Sequence, residues 1–135
     1  MADGGLSSFQ RRMQAVPKAA REAVKPALMQ SAYEVQDAME ALVPEDTGDL
    51  KGSITVTGPG QMTPPYSQPG GQAVVPDNTA AITVGSTDVR YGHLVEYGTR
   101  KAAAQPFFWP GFRLTRKRAT ARIKAAIGKA IREAK

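Results

Sequence analysis

The first third of the chain carries apolar side chains at steps of three, four and seven residues, the repeat of one face of an α-helix. These positions are Ala20, Val24, Leu28, Val35, Met39 and Leu42. Because the repeat keeps its phase across Pro26, the pattern predicts one long helix from about Val16 to Val43. Two shorter helices that meet at Pro26 are the alternative, since an internal proline removes a backbone donor. Residues 1–8 lie outside the repeat and are predicted to be loose.

The middle of the chain predicts a small sheet. Residues 47–53 are rich in turn formers and lead into Ile54–Thr57, whose alternation and β-branched side chains indicate a short strand. Residues 80–85 predict a second strand, antiparallel to the first. Residues 58–79 between them are rich in Pro and Gly, so we expect a flexible, extended arm there rather than a helix or a central strand.

Two further elements follow the arm. Residues 91–97 suit both a helical turn and a strand, and the pattern favours a short helical turn that leads into a strand. Residues 112–134 predict a last helix with a narrow apolar stripe, which needs a partner to be stable. The stripe consists of Ala119, Ile123, Ala126, Ile127, Ala130 and Ile131. The predicted fold class is α+β, one domain over residues 1–135, with two long helices packed on a small, mainly antiparallel sheet.

Composition narrows the class of protein. The chain has 135 residues and no cysteine, which excludes disulfides and thiolate metal sites. No stretch approaches the roughly 20 apolar residues that span a bilayer, and the N-terminus lacks the pattern of a secretory signal. We therefore expect a protein that is made in the cytoplasm and has no membrane partner.

The net charge of +6 is unevenly distributed. Residues 113–135 contain nine Lys or Arg against Glu133 alone, whereas Glu34–Asp49 contains six acids and no base. Such asymmetry indicates a partner for the basic end: nucleic acid, an acidic neighbouring surface, or the acidic segment itself. The alternative is a solvated helix face. Candidate contacts to DNA or to an acidic partner are Arg113, Arg116, Lys117, Arg118, Arg122 and Lys124.

The sequence contains no combination of residues that is typical of a catalytic site. His93 is the only histidine, and a pair with Glu96 lacks a third ligand for a metal. No serine lies in a Gly-x-Ser-x-Gly elbow, and Gly58-Pro59-Gly60 lacks the Lys-Ser/Thr ending of a phosphate loop. The sequence therefore predicts no catalytic residue, no cofactor, no metal and no enzyme.

Residues 91–110 hold a cluster of aromatic rings between glycines and prolines. Large rings between such breaks dominate either a core or a subunit contact. The candidates for subunit or partner contacts are Tyr91, Glu96, Tyr97, Gly98, Thr99, Pro106, Phe107, Phe108 and Trp109. All but Thr99 have a local alternative: Glu96 caps a backbone donor or pairs with Arg100, Gly98 serves a turn, Pro106 stiffens the approach to the last helix, and the rings fill the core.

Four stretches, taken in order, resemble a known family. They are residues 46–54, 82–86, 91–99 and 105–110. The chain is similar to the tail-completion, or head–tail joining, proteins of long-tailed double-stranded DNA bacteriophages. In that family a Thr-Gly-x-Leu-x-x-Ser turn precedes the first strand, and a Tyr-Ala-x-x-Val-Glu-Phe-Gly-Thr segment precedes Gln-Pro-Phe and a C-terminal helix. Gly92 and Tyr97 stand where the family has alanine and phenylalanine.

The resemblance implies a structural role at the head–tail junction of a virion, for a protein made in the bacterial host cytoplasm. By analogy with other proteins of this junction, we expect self-assembly into a ring of about six subunits, a hexamer. The expected partners are tail-terminator, tail-tube or head-connector proteins, with possible non-specific contact to packaged DNA. The alternatives are a tail terminator that caps the tail tube, and a sequence-independent DNA-binding module.

Overall fold

The first long helix is continuous. A computed structural model describes residues 18–44 and 48–133, and α1 runs from Lys18 to Leu42 with Pro26 inside it. One long helix, rather than two meeting at Pro26, is therefore confirmed. The predicted loose residues 1–8 and the predicted start at Val16 lie outside the described residues.

The predicted apolar face of α1 is the buried face. Val24, Val35 and Met39 are buried, and Met39 is among the most deeply buried side chains of the described chain. Leu42 departs from the prediction, because it is 38% exposed and Val43 takes the buried position beyond the end of α1. Leu28 on the same face is partly buried, and the repeat fails at Leu42, the last residue of the helix.

The segment after α1 is more regular than predicted. Gly48–Gly52 forms a short helix, α2, where the sequence predicted a turn. The Leu50 side chain is fully buried, and the Ser53 hydroxyl donates to the Leu50 carbonyl at 2.7 Å. Asp49 in the first turn and Lys51 in the last turn also suit the dipole of α2. Thr47 lies outside the described residues.

The predicted sheet is confirmed. The strands β1 (Thr55–Thr57) and β2 (Ala81–Thr83) pair antiparallel, with Thr55 opposite Thr83 and Thr57 opposite Ala81. Each strand is shorter than predicted by one or more residues.

The arm, residues 58–79, folds back on itself and contains no helix. Met62 bridges Val74, and the Val75 amide donates to the Gln61 carbonyl at 2.8 Å. Further along, Gln68 bridges Val84 at the end of β2. Val75 and Ser67 of the arm are buried. Its flexibility stays a prediction.

The two last helices differ from their predicted limits. Gly92–Tyr97 forms helix α3, and residues 98–107 form a loop instead of the predicted strand. The last helix, α4, spans Phe108–Glu133 and so begins four residues before the predicted start at Phe112. Ala134, the predicted last residue, lies outside the described residues.

Helices α1 and α4 pack antiparallel. The N-terminal part of α4 meets the C-terminal half of α1, since the Cα of Gly111 lies against Met39. Towards the other end of the pair, Ala130 packs with Val24. The main core lies where α1 and the start of α4 cover the sheet and α3. Its buried members are Val35, Met39, Val43, Leu50, Ile54, Val84, Val89, Phe107 and Phe108.

We predict that Gly111→Ala lowers the free energy of unfolding by about 1–3 kcal/mol, because overpacking forces backbone shifts. A Cβ at Gly111 would lie 2.6 Å from Met39 Cγ and 2.8 Å from Met39 Cα, so α1 and α4 would have to separate. Urea unfolding measures the change.

Gly128→Ala is the matched control on the same helix. Its Cβ would meet only the Arg132 side chain, at 3.5 Å. Alanine is a better helix former than glycine, so we expect a gain of up to about 1 kcal/mol. Equal effects of the two substitutions would contradict the close approach at Gly111.

Candidate functional site: the Glu96 cap and the adjacent aromatic surface

A carboxylate from α3 caps the start of α4. Glu96 Oε1 accepts hydrogen bonds from the backbone N–H groups of Phe107 and Phe108, both at 2.9 Å. Glu96 Oε2 accepts a third from the Trp109 N–H at 3.3 Å. Glu96 is only 6% exposed, so these bonds are shielded from water. The alternative that Glu96 caps a backbone donor is thereby confirmed.

The cap accounts for every unpaired donor at this helix terminus. The first N–H groups of an α-helix have no partner within the helix. Here the Glu96 carboxylate accepts from the N–H groups of Phe107, Phe108 and Trp109. Pro110 has no N–H group. The Gly111 N–H donates to the Phe107 carbonyl at 3.1 Å, which is the first backbone hydrogen bond of the helix. Since α4 has no acid in its own first turn, Glu96 also supplies the negative charge that its dipole favours.

The conformation of the loop between α3 and α4 places the N-terminus of α4 next to Glu96. Gly98 has a φ of +79°, and a Cβ there would lie 2.8 Å from the Ala104 amide nitrogen, so only glycine fits. The Thr99 N–H donates to the Ala102 carbonyl at 2.9 Å, and the Gln105 N–H donates to the Val95 carbonyl at 2.8 Å. The motif residues 91–99 and 105–107 therefore form one intramolecular latch.

For three of the predicted contact residues, the geometry favours the local alternative. Glu96, Phe107 and Phe108 are buried within the chain, and Phe107 has no exposed surface at all. They hold α4 in place within the chain. Tyr91 is partly buried and packs against the main core.

The other candidates keep exposed surface. Thr99 and Pro106 are exposed on the loop, and Gly98 is partly exposed. Tyr97 is 68% exposed and Trp109 is 38% exposed. These two rings are joined by a hydrogen bond from Trp109 Nε1 to the Tyr97 hydroxyl at 2.8 Å.

Tyr97 and Trp109 belong to a larger patch, which we call the aromatic surface: Tyr97, Trp109 and Phe112. Trp109 packs edge to face with Phe112, with ring centroids 6.4 Å apart, and Phe112 is 37% exposed. Phe112 was not among the contact residues predicted from the sequence. The signal was its position three residues after Trp109, which places both rings on one face of α4.

Arg122 contacts the acidic segment of its own chain, which is one of the three partners expected for the basic end. Its guanidinium donates to Glu34 on α1 at 2.6 Å and to the Ser31 hydroxyl at 3.4 Å. The hydrogen bond from Arg122 lowers the pKa of Glu34 below its ordinary value, and the same bond raises the pKa of Arg122. The other five basic candidates, Arg113, Arg116, Lys117, Arg118 and Lys124, are exposed. Among the described residues, none of the five lies within ion-pair distance of a carboxylate.

The described part of the chain offers no metal site of three or more His, Cys, Asp or Glu side chains. His93 is exposed, and the Glu96 carboxylate is occupied by backbone donors. Open cavities include one of about 230 Å³ beside Lys18, Asp77 and Asn78 and one of about 380 Å³ in the groove between α1 and α4. None of the helices in residues 18–44 and 48–133 is long and apolar enough for a bilayer.

We predict that Glu96→Ala lowers the free energy of unfolding by about 2–4 kcal/mol, because it leaves buried N–H groups without an acceptor. Urea unfolding measures the loss, and hydrogen exchange of the Phe107 and Phe108 amides localises it. Glu96→Gln keeps one side-chain oxygen as acceptor, so it should lose less than half as much. A neutral Glu96→Ala would show that the cap contributes nothing.

Comparison with known proteins gives one family. The family model described as "Bacteriophage HK97-gp10, putative tail-component" matches residues 7–98, which span α1 through α3 and end at the glycine of the latch. No curated protein and no solved structure matches the chain significantly. A tail component is part of the virion, so the predicted phage structural class is confirmed at that level. The chain belongs to the HK97-gp10-like family of phage tail components.

Proposed function

We propose that the protein completes the phage tail and joins it to the head, as a non-enzymatic structural component that assembles into a ring at the upper end of the tail. The observation that carries the proposal is the tail-component family match over residues 7–98. The order of the sequence motifs, which resembles tail-completion proteins, directs the proposal to the head–tail junction.

The geometry supports a role in assembly. The latch joins α4 to α3 through buried hydrogen bonds and leaves Tyr97 and Trp109 exposed beside it. Exposed aromatic rings on a rigid frame are typical of the central contacts of protein interfaces. Copies that contact each other through two different patches close into a ring when the rotation between them closes. We propose about six copies, with tail-tube, tail-terminator or head-connector proteins above and below.

A second candidate function is sequence-independent DNA contact, in keeping with a position beside the DNA-filled head. It is favoured by the basic residues on the outer side of α4. Arg113, Lys117 and Lys124 stand at spacings of four and seven and so share one face of the helix. This face points away from Gly111 and Arg122, which contact α1. These cations are exposed and match phosphates by charge alone. No aromatic ring stands between Lys117 and Lys124, so the stripe lacks a stacking platform for single strands.

Disrupting the gene for this chain in its phage should leave heads and tails that form but stay unjoined. Electron microscopy of the lysate counts joined and separate particles. Supplying the wild-type protein should restore joining. Supplying Tyr97→Ala should restore less than about a tenth of it, since truncating an aromatic hot spot of an interface costs about 2 kcal/mol or more. Fully joined, infectious particles without the protein would refute the proposal, whereas tails of uncontrolled length would favour a tail terminator.

If α4 binds DNA, affinity should fall steeply with salt, with a log–log slope that reflects the number of phosphates neutralised. Fluorescence anisotropy with a random double-stranded fragment measures this slope. Lys117→Gln with Lys124→Gln should reduce it by about two. The control, Lys25→Gln with Lys51→Gln, removes the same charge elsewhere. Undetectable binding at about 50 mM salt would exclude the second candidate.

A further inference from the structure

We propose that the aromatic surface and its flanking arginines, Arg113 and Arg116, dock onto an acidic ridge on α1 of a second copy of this chain. The acidic ridge consists of Tyr33, Asp37 and Glu40. This inference rests on the proposed self-assembly and specifies the two patches that would make it.

The first patch combines rings with positive charge. Trp109, Phe112, Arg113 and Arg116 stand at spacings of three, four and seven on α4, so they share one face. The arginines are exposed, and no described carboxylate neutralises either of them. Tyr97 extends the patch from α3, held by its hydrogen bond with Trp109. Aromatic residues and arginine are the residues enriched in interface cores.

The second patch combines a ring with negative charge. Tyr33, Asp37 and Glu40 stand at spacings of four and seven on α1 and therefore share a face as well. Tyr33 is 50% exposed, Asp37 is exposed and Glu40 is partly exposed. No Lys or Arg occurs between Pro26 and Leu50, so nothing on this half of α1 offsets the charge of the ridge.

The two patches cannot meet within one chain. The faces of α1 on either side of the ridge are already used: Ser31 and Glu34 contact Arg122 of α4, and the Gln36 side chain donates to the Ile54 carbonyl beside the sheet at 2.7 Å. The ridge therefore points outward from the pair of helices. The aromatic surface lies on the side of α4 that adjoins α3, away from the α1 contacts of Gly111 and Arg122.

Charge complementarity identifies the second copy as the occupant. One patch is aromatic with two uncompensated cations, and the other has an aromatic ring with two carboxylates. Complementary charges fix register and reject wrong partners, whereas like charges placed opposite each other cost several kcal/mol. Because the patches differ, the contact runs head to tail, and each bound copy leaves both kinds of patch free for the next.

A charge-exchange experiment on the full chain tests this pairing. The ridge variant carries Asp37→Lys and Glu40→Lys, the arginine variant carries Arg113→Glu and Arg116→Glu, and the exchange variant carries all four. Sedimentation velocity up to about 100 µM protein, in about 50 mM and about 500 mM NaCl, measures self-association. We expect the wild type to associate, and more weakly at high salt.

The ridge and arginine variants should each weaken self-association by about 100-fold or more. The exchange variant should recover it to within about fivefold of the wild type, and an equimolar mixture of the two single-patch variants should associate as well. A wild type that stays monomeric, or an exchange variant as weak as its parents, overturns the proposed pairing.

Matched controls separate the patches from net charge and from unfolding. Two control variants change the net charge by the same amount at other exposed positions: Asp77→Lys with Asp88→Lys, and Lys25→Glu with Lys129→Glu. Both should leave self-association within about twofold of the wild type. If they weaken it as much as the patch variants, net charge and not patch pairing drives association. Thermal melts followed by circular dichroism confirm that every variant is folded.

Complementation of a phage with the disrupted gene distinguishes this inference from the proposed function. If the ridge and arginine variants both restore joining as the wild type does, the pairing is wrong and the function stands. If particles join without any copy of the protein, the function itself fails. If only the arginine variant loses joining, the aromatic surface serves another protein, and the self-contact is wrong.

Discussion

The hydrogen bonds between the Glu96 carboxylate and the start of α4 are the interaction on which the rest of the structure depends. They are charge-assisted and buried, which makes them among the stronger hydrogen bonds in proteins and among the most costly to lose. They fix where α4 begins and the direction in which it leaves α3. The burial of Phe107 and Phe108, and the exposed position of Trp109, follow from that direction.

The second constraint is the close contact of the long helices at Gly111 and Met39. Because Gly111 has no side chain, α4 approaches the backbone of α1 closely. This contact sets the position of α4 along α1 and so determines which residues meet further along the two helices. Arg122 then reaches Glu34 and Ser31, and Ala130 reaches Val24. Because Arg122 and Glu34 are partly exposed, their ion pair contributes more to this register than to stability.

The sequence predicted most of the fold, because periodicity and β-branched alternation are local signals. α1, the antiparallel strands and α4 could all be read from it. The earlier start of α4 could not, since the helix is capped by a carboxylate that lies 12 residues before Phe108 and is brought there by the loop. Nothing in the sequence of residues 107–112 shows which of the aromatic rings are buried and which are exposed. Only the three-dimensional latch separates the buried Phe107 and Phe108 from the exposed Trp109 and Phe112.

The bridge between Gln68 of the arm and Val84 limits the contacts that another molecule can make at the end of β2. Where β2 ends, the next backbone groups already have partners, with Gln68 and Val84 exchanging hydrogen bonds at 2.8 and 3.0 Å. A strand from another molecule therefore finds this border occupied, and open-ended fibril growth by strand addition is obstructed there. Contacts between molecules are then left to side chains, which limit their number and geometry, whereas backbone pairing is indiscriminate.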